Sequence, residues 1–309
     1  MKIGISGLGY WGHKVVKEYM GLYEEGRLEE LYIYDTVENN YEAYKTKKYI
    51  KTVNSFEDLV SMVDGIHICS PNDKHFAQIK YALEKGKSVL AEKPLTENSD
   101  EAFKCVEISL AHGCIFQVGN IFRFSNVITY TKKLIDDRAF GIVNHVSLHW
   151  SHMAPSESSK KIDVVWDLMP HILDIMNFVF NAWPSTFLYS KSNNTNKNIS
   201  QRQADIILIY ELGFHCNVTL SLIDYVKHRN IEISCSNGTI LINPVEQKLK
   251  IISKDGVENV VIEPNNTLRD EILNFLISIQ TKKNQTNSAL LGALIVREIE
   301  NITSVVKHE

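Results

Sequence analysis

Three short segments hold residues whose types and spacing could do chemistry. The first is Gly7-Leu8-Gly9-Tyr10-Trp11-Gly12. In this pattern the first glycine permits a tight turn, the second lets a ligand's pyrophosphate approach the backbone, and the third allows a helix to pack closely on the preceding strand. A helix opening there aims its unpaired N–H groups at an anion. Asp35 follows 23 residues after Gly12, at the end of a second apolar run. A carboxylate so placed accepts both ribose hydroxyls of a dinucleotide and repels the 2′-phosphate of NADP. The next residue is Thr36 rather than an arginine that could neutralise that phosphate, so NAD is expected, with NADP disfavoured.

The second segment is Ala91-Glu92-Lys93-Pro94, at the carboxyl end of another strand-like run. Ligands of parallel sheets bind beyond that end, so Lys93, fixed between Glu92 and Pro94, is expected to face the cleft rather than bulk solvent. The third is Asp167-Leu168-Met169-Pro170-His171, continuing to Asp174. The i, i+4, i+7 spacing puts two carboxylates and an imidazole on one face of an otherwise apolar helix. Such groups are costly to bury without partners, and three together point to function where a lone histidine would point to packing. An aspartate and a histidine four apart could also bind zinc, but no third ligand lies at a recognisable spacing, and no metal is expected. His145, His149 and His152 share a predicted strand, with His145 and His149 on one face; His152, at the strand end, is the candidate for substrate contact.

The elements that must position these residues follow from hydrophobic periodicity. Lys2–Ser6, Leu31–Tyr34, Gly65–Ser70, Ser88–Ala91 and Ile115–Val118 read as strands. Between them, His13–Glu24, Ser55–Met62, Lys74–Lys85 and Ser99–His112 carry helical spacing. This alternation favours parallel strands joined by right-handed helical crossovers. Beyond residue 122 the rhythm changes. Ser125–Asp137 predicts a helix, Ile142–His152 a strand, and Val164–Phe180 a strongly apolar helix after the polar stretch Ala154–Asp163. Alternating segments then run from Thr186 to Glu263, with a tight-turn signal at Asn237-Gly238 and a polar, low-complexity loop over Ser190–Gln203. Helices Thr267–Gln280 and Ser288–Val306 close the chain.

Composition removes several classes of function. At 309 residues the chain has room for two domains of ordinary size. Lys and Arg number 33 against 37 Asp and Glu, so no broad positive field exists to collect phosphate backbones, and nucleic acid is not an expected partner. Five cysteines without a CxxC fit reduced thiols better than a disulfide framework. A strand-like run from residue 2 and no apolar stretch long enough for a bilayer make a cytoplasmic, membrane-independent protein the expectation. Sequons such as Asn193-Asn194-Thr195 are accordingly taken as chance.

Six segments, in order, resemble the Gfo/Idh/MocA family of NAD(P)-dependent oxidoreductases: GISGLGYWG, the strand end at Asp35, CSPNDKHF, LAEKPL, VGNIFRF and DLMPHILD. The resemblance covers nearly the whole sequence and leans, more weakly, toward members acting on nucleotide-linked or amino sugars. It implies an α/β Rossmann domain, a doubly wound parallel sheet, over residues 1–121. An α+β domain over 122–309, with a mostly antiparallel open sheet, would bind substrate and form a homodimer or homotetramer, with room for the C-terminal helix to pack back on the first domain. The family's roles carry over by position. Lys93 matches the lysine on the reacting hydroxyl, His171 the acid/base, and Asp167 a carboxylate that bonds substrate or cofactor. Gly7, Leu8, Gly9, Tyr10, Trp11, Gly12, Asp35, Glu92 and Lys93 belong to cofactor binding, as do Ser70, Pro71, Asn72 and His75, which match the loop lining the cofactor. Arg123 matches a basic residue near the nicotinamide end. Lys93, Arg123, His152, Asp167 and His171 form the expected substrate set. Many members carry a Gly-Gly pair before the aspartate, where this chain has Lys161-Ile162-Asp163-Val164-Val165-Trp166, and that bulk bears on the sugar pocket. The expected reaction is hydride transfer at a secondary alcohol carbon of a sugar-like small molecule. The alternatives are a cyclitol or other non-sugar substrate, and a catalytically silent NAD-binding sensor or scaffold.

Overall fold

The computed structural model describes residues 1–154, 163–191, 201–284 and 286–304. The residues divide into two compact units, one of residues 1–121 with 268–297 and one of 122–267 with 298–309.

In the first unit, strands β1 (Lys2–Ser6), β2 (Glu30–Tyr34), β3 (Ile50–Thr52), β4 (Gly65–Ile68), β5 (Ser88–Ala91) and β6 (Phe116–Val118) form one parallel sheet in the order β3-β2-β1-β4-β5-β6. Helices α1 (Tyr10–Glu24), α2 (Phe56–Met62), α3 (Asn72–Glu84) and α4 (Ser99–His112) make the crossovers. The order reverses between β1 and β4, the switch point of a doubly wound sheet, where ligands bind beyond the carboxyl ends of the strands. Strand β3 was not anticipated from sequence: it is a short edge strand with only Ile50 buried, too little apolar pattern to stand out among its lysines. The core is the expected one for a sheet covered on both faces. Ile3, Ile5, Leu31 and Ile33 are fully buried and pack with Val15, Val16, Tyr19 and Leu22 of α1. Helix ends follow local chemistry. Ser55 and Asn98 cap α2 and α4 by accepting the Asp58 and Glu101 N–H groups, and α4 stops at Gly113 in the left-handed conformation. Later in the chain, α7 (Thr267–Thr281) adds Leu268, Ile272, Phe275 and Leu276 to this same core.

The second unit is built on α5 (Asn126–Asp136), β7 (Val143–Met153), α6 (Val164–Phe180) and strands β8 (Thr186–Lys191), β9 (Gln203–Ile209), β10 (His215–Ser221), β11 (Ile223–Cys235), β12 (Gly238–Asn243), β13 (Lys248–Ser253) and β14 (Gly256–Val260). The eight strands run in the order β14-β13-β12-β11-β7-β10-β9-β8, antiparallel except for the β7–β10 pair. Cys235 pairs with Gly238, so Ser236 and Asn237 form the tight turn and Gly238 opens β12, one residue on from the sequence signal. Alternation along β9 and β10 buries Ile206, Leu208, Val218 and Leu220 on one face and leaves Ile207, Ile209 and Thr219 on the other. Helix α6 packs on the buried face. Asp163 caps it through the Val165 and Trp166 N–H groups, and Asn181 ends it in the left-handed region. A final helix, α8 (Ala289–Ser304), closes the chain. The polar stretch after Ala154, the Lys161-Ile162 bulk, most of the Ser190–Gln203 loop with its sequon, and the chain after Ser304 lie outside the described residues.

Candidate active site

In the first unit the glycine turn is locked by close approach. Gly7 has φ +93°, and a Cβ there would lie 2.5 Å from the Ser70 nitrogen. A Cβ at Gly12 would lie 2.0 Å from the Gly7 carbonyl oxygen. Gly9 differs: its Cβ would meet nothing within 4 Å. It precedes the first turn of α1, where no side chain caps the N–H groups and no acidic residue stands. Open space beside exposed N–H groups at a helix start fits the pyrophosphate of a dinucleotide. Leu8 is buried beneath the turn, while Tyr10 is 81% exposed. Asp35 is fixed at the end of β2: its carboxylate accepts the Leu8 N–H at 2.5 Å and the Val37 N–H at 2.7 Å, and the Tyr41 hydroxyl donates to its carbonyl. A carboxylate has about four acceptor positions, so two such bonds leave capacity for ribose hydroxyls.

The loops after β4 and β5 are tied to each other and to α1. Glu92 Oε1 accepts the Trp11 indole N–H at 2.6 Å and faces His67 Nε2 at 3.2 Å. His67, Cys69 and Glu92 bring ligand-type atoms within 4.8 Å of one another, although Glu92 is already engaged by the indole. Buried His75 sits with Nδ1 3.0 Å from the Pro94 carbonyl and Nε2 2.9 Å from the Ser70 carbonyl. Burial lowers its pKa against the pull of these carbonyls. Ser70 Oγ donates to Gln78, and Pro71 and Asn72 stand exposed where α3 begins. Lys93 is half-buried two residues past the end of β5, before a cis peptide bond to Pro94.

In the second unit α6 carries Asp167 and His171, both half-buried one turn apart. The His171 ring stands edge-on to Phe122, with centroids 5.3 Å apart, and 6.3 Å from the Trp150 ring. Aromatic walls on these sides fix the imidazole's position on the helix. The third rung of the ladder differs from the first two. Asp174 is 1% exposed and takes the Arg123 Nε–H at 2.5 Å, while Arg123 Nη2 donates to Asn177. Burial pushes Asp174 up to about 6, although the Arg123 charge and hydrogen bond pull it down. Arg123 therefore has two of its three nitrogens committed to α6, and its guanidinium lies over the Phe178 ring.

The three β7 histidines separate by face. His145 stacks near His215, and His149 stacks on His228 with centroids 4.1 Å apart and faces Asp224 at 3.5 Å. His152 lies on the opposite face with Trp150, and its Nδ1 receives Arg229 Nη2 at 3.1 Å. Arg229 was not anticipated. It sits 62 residues after Asp167, and only the β7–β11 register, which pairs it with Trp150, brings it to this face.

A glycine turn at the switch point of a parallel Rossmann sheet, together with an open antiparallel sheet, defines the class. Residues 1–120 match the model of the oxidoreductase family with an NAD-binding Rossmann fold, and residues 128–241 match the GFO/IDH/MocA C-terminal domain. The chain belongs to the Gfo/Idh/MocA oxidoreductase family. It is 27% identical over 223 residues to an uncharacterized oxidoreductase of Streptococcus pneumoniae, covering 69% of this chain and 59% of the relative. It is 25% identical over 185 residues to UDP-N-acetylglucosamine 3-dehydrogenase of Acidithiobacillus ferrooxidans, covering 60% and 56%. The chain thus spans a little over half the length of these curated relatives. Among solved structures, an inositol dehydrogenase homolog from Azotobacter vinelandii, complexed with NADH and myo-inositol, superposes with a TM-score of 0.86 at 16% identity, covering 100% of this chain and 96% of that one. At that identity the likeness is one of fold.

Proposed function

We propose that the protein is an NAD-dependent oxidoreductase acting on a secondary alcohol carbon of a sugar or cyclitol, with a nucleotide-linked or amino sugar as the first class to try. The observation that carries this reading is the glycine turn: Gly7 and Gly12 are required by packing, whereas Gly9 borders open space at an uncapped helix start, with Asp35 held alongside. Packing alone explains two of the glycines and leaves the third for a ligand. NAD, when bound, supplies the hydride chemistry. His171 takes the proton of the substrate hydroxyl at a ring nitrogen, and the Lys93 ammonium stabilises negative charge developing on that oxygen. The opposite assignment exchanges these roles, with Lys93 as the base. Asp167, one turn before His171, orients the imidazole or the sugar. The names of relatives support the substrate class, since one acts on UDP-N-acetylglucosamine and a structural neighbour holds myo-inositol. The five free cysteines agree with a reducing, cytoplasmic setting, and no described helix is long and apolar enough to cross a membrane.

The test is a parallel titration with NADH and NADPH, following energy transfer from tryptophan, with Trp11 in the glycine turn as the reporter. NADH should bind at least about tenfold tighter, because Asp35 disfavours a 2′-phosphate by like-charge repulsion. Reduction of NAD with UDP-N-acetylglucosamine or myo-inositol is then followed by nicotinamide absorbance. Binding of neither dinucleotide would overturn the dehydrogenase reading.

A further inference from the structure

We propose that Arg229 is an anion-recognising residue and that the substrate carries a carboxylate or phosphate group, an inference that rests on reading the second unit as substrate-binding. Cross-strand partners in an antiparallel pair project to the same face, and Arg229 is paired with Trp150. Its guanidinium lies 5.0 Å from the Trp150 ring centroid, on the face where His171 also stands against that ring. Nη1 donates to the Ser151 carbonyl at 2.7 Å and to the His228 carbonyl at 2.6 Å, and Nη2 donates to His152 Nδ1. A guanidinium has five N–H donors, so these bonds leave the Nε–H and one Nη2 N–H uncommitted. No carboxylate among the described residues forms an ion pair with it, in contrast to Arg123, whose charge is met by Asp174.

A purely structural duty accounts for half of this. The β7–β11 ladder breaks between Ile223 and His228, and Nη1 satisfies two carbonyls beside the break. Such a clamp needs neither a second uncommitted edge nor a cation stacked on a buried indole. Burial pulls the Arg229 pKa down to about 10 while the Asp167 charge works the other way, so the nearby carboxylate compensates the cation only in part. Because arginine only donates, His152 Nδ1 must be the unprotonated nitrogen and its ring proton sits on Nε2. Arg229 thus presents donors, and a group that is all acceptor, as carboxylate and phosphate are, complements it.

The experiment compares D-glucuronate, D-glucose 6-phosphate and D-glucose by isothermal titration into the NADH-saturated protein. The two anions separate carboxylate from phosphate recognition, and glucose supplies the neutral ring. At least one anion should bind tenfold or more tighter than glucose. Arg229→Gln should abolish that preference, and Arg229→Lys, which keeps the charge without the planar fork, should retain part of it. NADH affinity and the circular-dichroism spectrum, unchanged in both variants, exclude a folding defect, and the wild-type comparison stands even if a variant fails to fold. Equal binding of all three sugars, or a preference that survives Arg229→Gln, overturns this inference alone. Binding of none of them to protein that still binds NADH likewise overturns this inference, and the dehydrogenase reading stands or falls on the dinucleotide titration and the turnover assay.

Discussion

Gly9 and Gly12 give one loop two separable tests. A Cβ at Gly12 collides with the Gly7 carbonyl, so Gly12→Ala must move the turn; it should lower stability by several kcal/mol and abolish NADH binding together. A Cβ at Gly9 meets only open space, so Gly9→Ala should leave the unfolding midpoint within about 1 kcal/mol of wild type while weakening NADH at least about tenfold. Undiminished NADH affinity in Gly9→Ala would remove the phosphate from that position. Lys93→Ala tests the chemistry itself. Losing a charge that stabilises a developing alkoxide should cut turnover about 100-fold or more with NADH affinity little changed, and a fully active variant would dismiss its assigned role.

At the scale of elements, α6 divides the polar residues of one stripe between two settings. Its first half presents Asp167 and His171, and its second half fixes Arg123 through Asp174 and Asn177. The Asp174 pKa lies above its unfolded value, so the folded state holds the proton more tightly. The stability this contributes is fully present below about pH 4 and is lost as pH rises through about 6. Chemical denaturation of wild type and Asp174→Asn from pH 4 to 7 should therefore show wild type losing stability relative to the variant, by an amount on the order of 2–3 kcal/mol. A constant difference across that range would place the titration elsewhere. The strand β7 is the matching element of the sheet. Its even positions, Leu148, Trp150 and His152, share the face toward α6, and its odd positions, His145, Ser147 and His149, share the other.

For the whole molecule the open face of the second sheet is the feature with most consequence. Register aligns Leu188, Ile207, Asn217, Ser147, Glu232, Leu241 and Lys250 in one row across seven strands. Leu188 is 60% exposed at one end of it, and Ile207 and Ile209 lie partly exposed nearby. Exposed apolar residues on a broad β face favour self-association, and the proposed homodimer or homotetramer would use this surface. Light scattering should show an oligomer that Ile207→Glu dissociates, since a buried unpaired carboxylate at the contact is strongly unfavourable. A monomeric wild type would remove the assembly.

The sequence by itself determined what depends on near neighbours along the chain. Alternating apolar runs imposed the parallel sheet and its crossovers, glycine spacing imposed the turn at Gly7 to Gly12, and a seven-residue span imposed the shared face of Asp167, His171 and Asp174. These are local consequences of helical and strand periods, and they hold wherever the elements pack. What distant residues do to one another was decided only by the tertiary structure. Asp174 looks like its fellow rungs until Arg123, 51 residues away, pairs with it and takes it out of the ladder. Arg229 has no local signal at all; strand register carries it to Trp150 and His152. The edge strand β3 is likewise tertiary, because three residues with one buried side chain become a strand only through pairing with β2. The physical reason is common to all three. Periodicity fixes the direction of a side chain, whereas charge compensation and strand pairing depend on which partner folding brings alongside.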